Sequence, residues 1–242
     1  MGIPFATPPL GPLRFRRPVR HPGWSGILDA DNFRSSCPQV DDQGGLSGDE
    51  NCLFINVFTP DIKTDRNQGN LSLFPVMVFI HGDDFERGSS DLYGPEKLVG
   101  KSVVLVTFNY RLGILGFLST ENEDTSGNWG LWDQQLALEW VRNNINYFRG
   151  DINSITLFGE GSGGASVMFH VISPVSQGMF QRAVSQSGSA LCDWASEQNP
   201  GKYARTVAHR LGCPTESSLQ LVECVQEIPA SRILRVQSEE KE

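Results

Sequence analysis

Residues 154–167 read SITLFGEGSGGASV, and this stretch decides the fold. The β-branched and apolar residues that lead up to Phe158 predict a buried strand over 152–158. Four glycines within 159–164 predict a tight turn, and the small and apolar residues after them predict a helix over 165–172. A strand that enters a helix through such a turn is typical of ligand-binding and catalytic loops in α/β proteins.

The rest of the chain alternates strand patterns with helix patterns. Strands are predicted over 53–59, 76–80, 103–109 and 183–186, and amphipathic helices over 130–148, 202–211 and 217–226. Buried strands that alternate with helices predict an α/β fold with a mainly parallel sheet. Ligands of such sheets bind beyond the carboxyl ends of the strands, where the turns after residues 80 and 158 are expected.

The acidic composition limits the classes of partner. The 242 residues include 20 Lys and Arg against 28 Asp and Glu, a net charge of −8. Proteins that hold nucleic acid usually present a basic face, so we expect neither nucleic acid nor an anionic membrane surface as the main partner. No apolar run approaches the roughly 18 residues of a spanning helix, so no membrane span is predicted in this chain. No Cys or His spacing is typical of a metal site, so no metal or other cofactor is predicted.

Two hypotheses compete for the glycine-rich turn. The order Gly159-x-Gly161-x-x-Gly164 fits a phosphate-binding loop, but a dinucleotide fingerprint needs an acidic residue about 20 positions on, and the sequence there reads FQR. The alternative is a nucleophile elbow, G-x-S-x-G, whose central serine projects above the sheet. Here the centre of the frame is Gly161, which has no side chain and therefore no nucleophile.

The sequence resembles the N-terminal part of a member of the carboxylesterase type B/cholinesterase family. The segments that carry the resemblance run in the same order along nearly the whole chain: GIPFATPPLGPLRFRRP, DENCLFINVFTP, PVMVFIHG, VTFNYRLGILGFLST, GNWGLWDQQLALEWVRNNI, SITLFGEGSGGASV and FQRAVSQSGS. The resemblance implies an α/β-hydrolase fold, in which a mostly parallel central sheet is flanked by helices. We expect residues 1–242 to form a partial, truncated domain that lacks its first strands and its C-terminal half.

The resemblance also shows where this sequence departs from the family at the catalytic positions. The family's FGESAGG has its nucleophile serine where this chain has Gly161, and Ser162 falls on the alanine whose N–H donates to the oxyanion. The family's HGGGF, whose second and third glycines supply further donors, stands here as HGDDF, so that Gly82 is followed by Asp83 and Asp84. We therefore expect a vestigial elbow, a vestigial oxyanion loop and no catalytic residue.

A one-residue slip would offer Ser162 as an alternative nucleophile. It would place Glu160 where the frame needs its first glycine, and elbow geometry tolerates little change. The family's triad acid and histidine lie farther downstream than the residues that follow the elbow in this chain.

The five cysteines allow two short disulfide loops. The candidate pairs are Cys37 with Cys52 and Cys213 with Cys224. Spacing alone does not distinguish disulfides from buried free thiols in either pair. The resemblance implies that both pairs are disulfides. Cys192 has no intrachain partner and is either a buried thiol or a contact to another chain.

The resemblance implies structural roles for several polar residues. Arg14 and Glu50 match a buried family ion pair, and Trp140 and His170 match packing residues. Asn70 begins an Asn-Leu-Ser glycosylation sequon. With the disulfides, the sequon favours an extracellular or cell-surface protein whose signal segment is missing from this chain.

Three functional hypotheses follow from these departures. The first is a non-catalytic binding or cell-adhesion protein, since residues 187–195 and 202–213 are similar to the neuroligin side of the family branch that includes gliotactin and glutactin. It predicts an extracellular protein partner. It also predicts no cholinesterase cation site, because the loop between Cys37 and Cys52 has no aromatic residue. The second is an active carboxylic-ester hydrolase that uses Ser162, and the third is a non-functional gene fragment.

Overall fold

The computed structural model of the chain describes residues 1–41, 43–60, 73–123 and 125–239. The strands are β1 (Ile3–Pro4), β2 (Gln39–Val40), β3 (Leu46–Ser47), β4 (Phe54–Phe58), β5 (Phe74–Ile80), β6 (Val104–Phe108), β7 (Gly150–Glu160) and β8 (Arg182–Gln186). The α-helices are α1 (Glu96–Val99), α2 (Gly113–Phe117), α3 (Trp129–Asn144), α4 (Ser162–Ile172), α5 (Pro200–Leu211), α6 (Ser218–Glu227) and α7 (Ala230–Glu239).

Six of the strands form one mixed sheet in the order β1-β4-β6-β5-β7-β8. The pairs β6–β5, β5–β7 and β7–β8 are parallel, and β4 runs antiparallel to both β1 and β6. The prediction of an α/β fold with a mainly parallel sheet is confirmed. Because β5 and β7 are parallel neighbours, the turns that follow them meet at the same edge of the sheet.

The core lies on both faces of the central strands. All five residues of β6 are buried, as expected for a parallel strand covered by helices on both sides. A second apolar cluster forms where α2, α5, α6 and α7 pack with the N-terminal segment around the fully buried Phe15. Between the sheet and the helices, the guanidinium of Arg111 makes a bidentate pair with the buried Asp133, at 2.8 and 2.7 Å.

The turn after β7 is shorter than predicted. The strand runs to Glu160 and the helix begins at Ser162, so only Gly161 separates them. The remaining glycines serve close packing: a Cβ on Gly159 would lie 2.5 Å from the carbonyl carbon of Gly163, and one on Gly164 would lie 2.8 Å from the Gln186 oxygen. Glycine is needed at these positions because two backbones approach each other there.

The predicted helix over 130–148 ends at Asn144 and continues as a 3₁₀ turn, Ile145–Phe148. Helix α7 was not predicted. It buries Ile233, Leu234 and Val236 on one face. Among the described residues, no helix has both the length and the apolar character needed to cross a bilayer.

Both predicted disulfides are confirmed. Cys37 bonds to Cys52 with 4.9 Å between their Cα atoms, and Cys213 bonds to Cys224 with 5.7 Å. The first bridge fastens the β2–β3 hairpin to the start of β4, and the second joins the end of α5 to α6. Cys192 is a free, half-buried thiol.

Candidate functional site

The predicted elbow is a single residue between β7 and α4. Gly161 has φ 57° and ψ −121°, the dihedral angles of the first central residue of a type II′ turn, which glycine dominates. Its N–H donates to the Gln186 carbonyl at 2.9 Å, and its carbonyl accepts the Ala165 N–H at 3.0 Å. A Cβ at this position would meet no atom within 4 Å. A side chain here would therefore project into open space, but the glycine offers none.

Two strand ends and one helix start lie in backbone contact around this tip. A Cβ on Gly163 would lie 2.1 Å from the Ile80 carbonyl oxygen, and one on Gly82 would lie 2.3 Å from the Glu160 carbonyl oxygen. Neither position can hold a side chain without moving the backbone. The glycines beside the tip therefore fix the approach of the loop after β5 to the elbow.

Ser162 points away from the open space. It is buried, and its Oγ accepts a hydrogen bond from the Phe85 N–H at 3.1 Å. The side chain also hydrogen-bonds the buried Tyr110, whose hydroxyl donates to the His81 carbonyl at 2.8 Å. Burial raises the pKa of Tyr110 far above its usual value, and the bond to Ser162 opposes this in part. The register of β7 and α4 puts Gly161 at the tip, and the Ser162 hydroxyl ties the elbow to the loop after β5.

The loop after β5 holds non-glycine residues in a conformation that favours glycine. Asp83, Asp84 and Phe85 have φ of 84°, 55° and 60°. Each side chain in this region costs on the order of 1 kcal/mol. Both carboxylates are exposed, and that of Asp83 lies 3.3 Å from Nε of Arg87.

Gln39 on the β2–β3 hairpin holds the far end of this loop. Its amide donates to the Gly88 carbonyl at 3.0 Å and accepts the Gly88 N–H at 2.9 Å. This reciprocal pair satisfies one backbone donor and one acceptor, as a strand neighbour would. The Cys37–Cys52 loop thereby supports the loop after β5.

The mouth of the site carries negative charge. Glu160 is exposed beside the tip, and Asp83 and Asp84 lie on the facing loop. Burial raises the pKa of the Tyr93 hydroxyl, and the carboxylates of Glu160 and Asp83 raise it further. A developing oxyanion at this mouth would meet like charges where an esterase needs hydrogen-bond donors.

The two buried histidines are engaged in packing. The His81 ring stacks on Tyr110 at 4.4 Å, and burial lowers the pKa of His81 to about 4. The His170 ring lies 2.8 Å from the Ser176 hydroxyl and 3.0 Å from the Gln134 amide oxygen, and burial lowers its pKa also to about 4. Both rings are neutral at pH 7. The structure places His170 in the core, in agreement with the packing role that the resemblance implied.

The other predicted structural residues lie away from the elbow. The Arg14 guanidinium contacts the Glu50 carboxylate at 2.8 and 2.5 Å and donates to the carbonyls of Gln226 and Ile228 at 2.8 and 2.6 Å. This pair joins the Cys37–Cys52 loop to the end of α6. The predicted glycosylation residue Asn70 lies outside the described residues.

The sequence did not reveal two residues that hold the elbow and the loop after β5 in place through hydrogen bonds. Tyr110 follows a predicted strand and Gln39 lies in the disulfide loop, but neither position carries a motif. Their contacts with His81, Ser162 and Gly88 depend on the packing of distant segments. The only available signal was that Tyr110 lies inside one of the segments that carry the family resemblance, VTFNYRLGILGFLST.

Comparison with known proteins places this geometry in a family. A sequence model of the carboxylesterase family matches residues 1–242. The juvenile hormone esterase of Tribolium castaneum is 46% identical over 248 residues, covering 96% of this chain and 40% of that protein. Esterase E4 of Myzus persicae is 42% identical over 238 residues, covering 97% of this chain and 43% of that protein. The bile salt-activated lipase of Bos taurus is 41% identical over 235 residues, covering 93% of this chain and 38% of that protein. The chain spans about two fifths of the length of these curated relatives.

Proposed function

The chain belongs to the carboxylesterase family, and from this premise we propose that it is a non-hydrolytic member that uses the esterase scaffold for binding. The observation that carries the proposal is Gly161 at the elbow tip, facing open space. Covalent ester hydrolysis begins with the attack of a nucleophilic oxygen on the acyl carbon. A hydrogen atom at this position cannot make that attack.

The loop after β5 supports the proposal independently. One oxyanion-hole donor contributes roughly 10²–10³-fold to turnover. The side chains of Asp83 and Asp84 stand where the family has glycines, and both are exposed. The Asp83 carboxylate pairs with Arg87, and the negative charge of Asp84 opposes the charge that forms on the acyl oxygen in the transition state.

We assign the protein to the outside of the cell or the cell surface, with an extracellular protein as its partner. The two disulfides support this assignment, since such bonds persist in oxidising compartments. The similarity of residues 187–195 and 202–213 to the neuroligin side of the family supports a role in adhesion by analogy only. The half-buried Cys192 thiol is a candidate contact to a second chain.

The competing function is ester hydrolysis with Ser162 as nucleophile. The names of the relatives favour it, since they are esterases or a lipase at 41–46% identity. The buried Ser162 hydroxyl, already bonded to Phe85 and Tyr110, counts against it. A non-functional gene fragment is the third hypothesis, and a single cooperative thermal transition of the purified chain would contradict it.

An exchange experiment separates the first two functions. Segment 159–164 of this chain is transferred into the Tribolium castaneum esterase in place of its own elbow, and turnover of a p-nitrophenyl ester is measured. We expect a loss of about 10⁶-fold, the usual consequence of removing a nucleophilic serine. The same exchange with a serine in place of the transferred Gly161 is the matched control and should recover turnover.

The loop is tested in the same way. Transfer of segment 81–85 alone should lower turnover by roughly 10²–10³-fold with the nucleophile intact. The proposal is contradicted if the esterase that carries the elbow exchange keeps its turnover within about tenfold and then loses it when Ser162→Ala is added. That pair of results would establish Ser162 as the nucleophile.

A further inference from the structure

A cleft of about 300 Å³ opens on the side of the molecule where the segment after β1 faces helix α3. It is lined by residues 20–24 on one wall and by the C-terminal half of α3 on the other. None of its lining residues belongs to the elbow or to the loop after β5. We propose that this cleft binds one uncharged pyranose ring, such as the terminal sugar of a glycan. The inference does not depend on whether the elbow hydrolyses esters.

The apolar surfaces of the cleft are aromatic and held in place. Trp24 is 48% exposed, and its ring lies 6.0 Å from the His21 ring. Trp140 on the opposite wall is half-buried, and its ring centroid lies 6.0 Å from that of Phe148. The buried Phe5 also lines the cleft. Two indoles with free surface on one small cleft suit the flat C–H face of a sugar ring.

The polar groups at the rim are planar and balanced in charge. Arg20 forms an ion pair with Glu139 across the mouth, so the pair adds no net charge. Of the polar side chains that the structure describes here, Asn143 is exposed and has no protein partner. The Nδ1 atom of His21 accepts the Gly23 N–H at 3.1 Å, which leaves Nε2 as a donor towards a ligand.

This combination selects the class of ligand. Carboxylate, guanidinium and amide groups each present two hydrogen-bonding atoms in a plane, which match neighbouring hydroxyls on one ring. A charged ligand would compete with the ion pair of Arg20 with Glu139, and a purely apolar one would gain no hydrogen bond from the exposed Asn143 amide. The volume lies at the lower end of the roughly 300–1,000 Å³ typical of ligand sites, which favours a single ring.

The test is saturation-transfer NMR of the 242-residue chain with methyl glycosides of glucose, galactose, mannose and N-acetylglucosamine, and with benzamide as a flat aromatic probe. We expect at least one glycoside to bind with Kd on the order of 1 mM. Trp24→Ala should weaken that binding by about tenfold or more, and Asn143→Ala by severalfold. Trp194→Ala is the matched control, because Trp194 is 50% exposed but lies outside the cleft, and it should leave Kd unchanged.

Two results would overturn the proposal. One is the absence of binding by all four glycosides at about ten times the expected Kd. The other is binding by benzamide alone, or binding of a glycoside that neither Trp24→Ala nor Asn143→Ala changes. Since Asn143 is exposed and partnerless among the described residues, its alanine variant is expected to fold and keeps the test decisive if Trp24→Ala does not.

Discussion

Replacing Gly161 by serine should destabilise the protein even though the new side chain has room. Its Cβ would meet nothing within 4 Å beyond its chain neighbours, so no clash with other parts of the fold arises. The backbone is held at φ 57° and ψ −121°, which L-residues rarely adopt, at a cost of about 1–3 kcal/mol. Taking about 2 kcal/mol, and about 2–4 °C of Tm per kcal/mol for a chain of this length, we expect Gly161→Ser to lower Tm by about 4–8 °C. Differential scanning calorimetry measures the shift.

The control for this prediction is Gly212→Ser. Gly212 also has a positive φ of 76° and also has no atom within 4 Å of a Cβ, but its ψ of 24° is the ordinary left-handed helical value at a helix end. Serine there should cost about 1 kcal/mol. If Gly161→Ser lowers Tm no more than Gly212→Ser does, residue 161 does not have elbow geometry and the reasoning fails.

Three further changes test the surroundings of the site. Ser162→Ala should cost about 1–3 kcal/mol and speed amide hydrogen exchange at Phe85, whose N–H loses its acceptor, and unchanged exchange would contradict the contact. The pKa values of His81 and His170 fall from 6.5 to about 4 on folding, so their stabilisation is complete above pH 6.5 and is lost as pH falls towards 4, by about 3 kcal/mol for each. Urea unfolding across this range should show the loss, His170→Gln should reduce it by about half, and a flat profile would refute the buried neutral rings. Glu50→Gln should cost about 3 kcal/mol in urea unfolding, because it leaves the buried Arg14 guanidinium unpaired, and a loss below about 1 kcal/mol would show that the pair is solvated.

Much of the fold could be predicted from apolar runs. The strands β5 and β6 and residues 155–158 of β7 consist mainly of β-branched and apolar residues, and such apolar runs are visible in the sequence alone. Helix α7 was not predicted, because only one face is apolar and most of its residues are polar. The predicted turn around Gly161 is too long. In the sequence, glycines that are needed because two backbones approach closely look the same as glycines that form a turn.

The site could be predicted only in part. The sequence alone predicts the missing nucleophile at Gly161 and the two aspartates in the loop after β5, because these positions belong to motifs with fixed spacing. The orientation of the Ser162 side chain could not be predicted, since its partners Phe85 and Tyr110 lie 77 and 52 residues away along the chain. Such contacts arise from tertiary packing, which local patterns do not encode.

The most direct test of the central claim is the intact mass of the purified chain after exposure to a fluorophosphonate probe, with a known esterase of the family treated in parallel. We predict an unchanged mass for this chain, because the elbow presents no reactive oxygen to open space. A stoichiometric adduct that maps to segment 159–164 and disappears in Ser162→Ala would contradict the account.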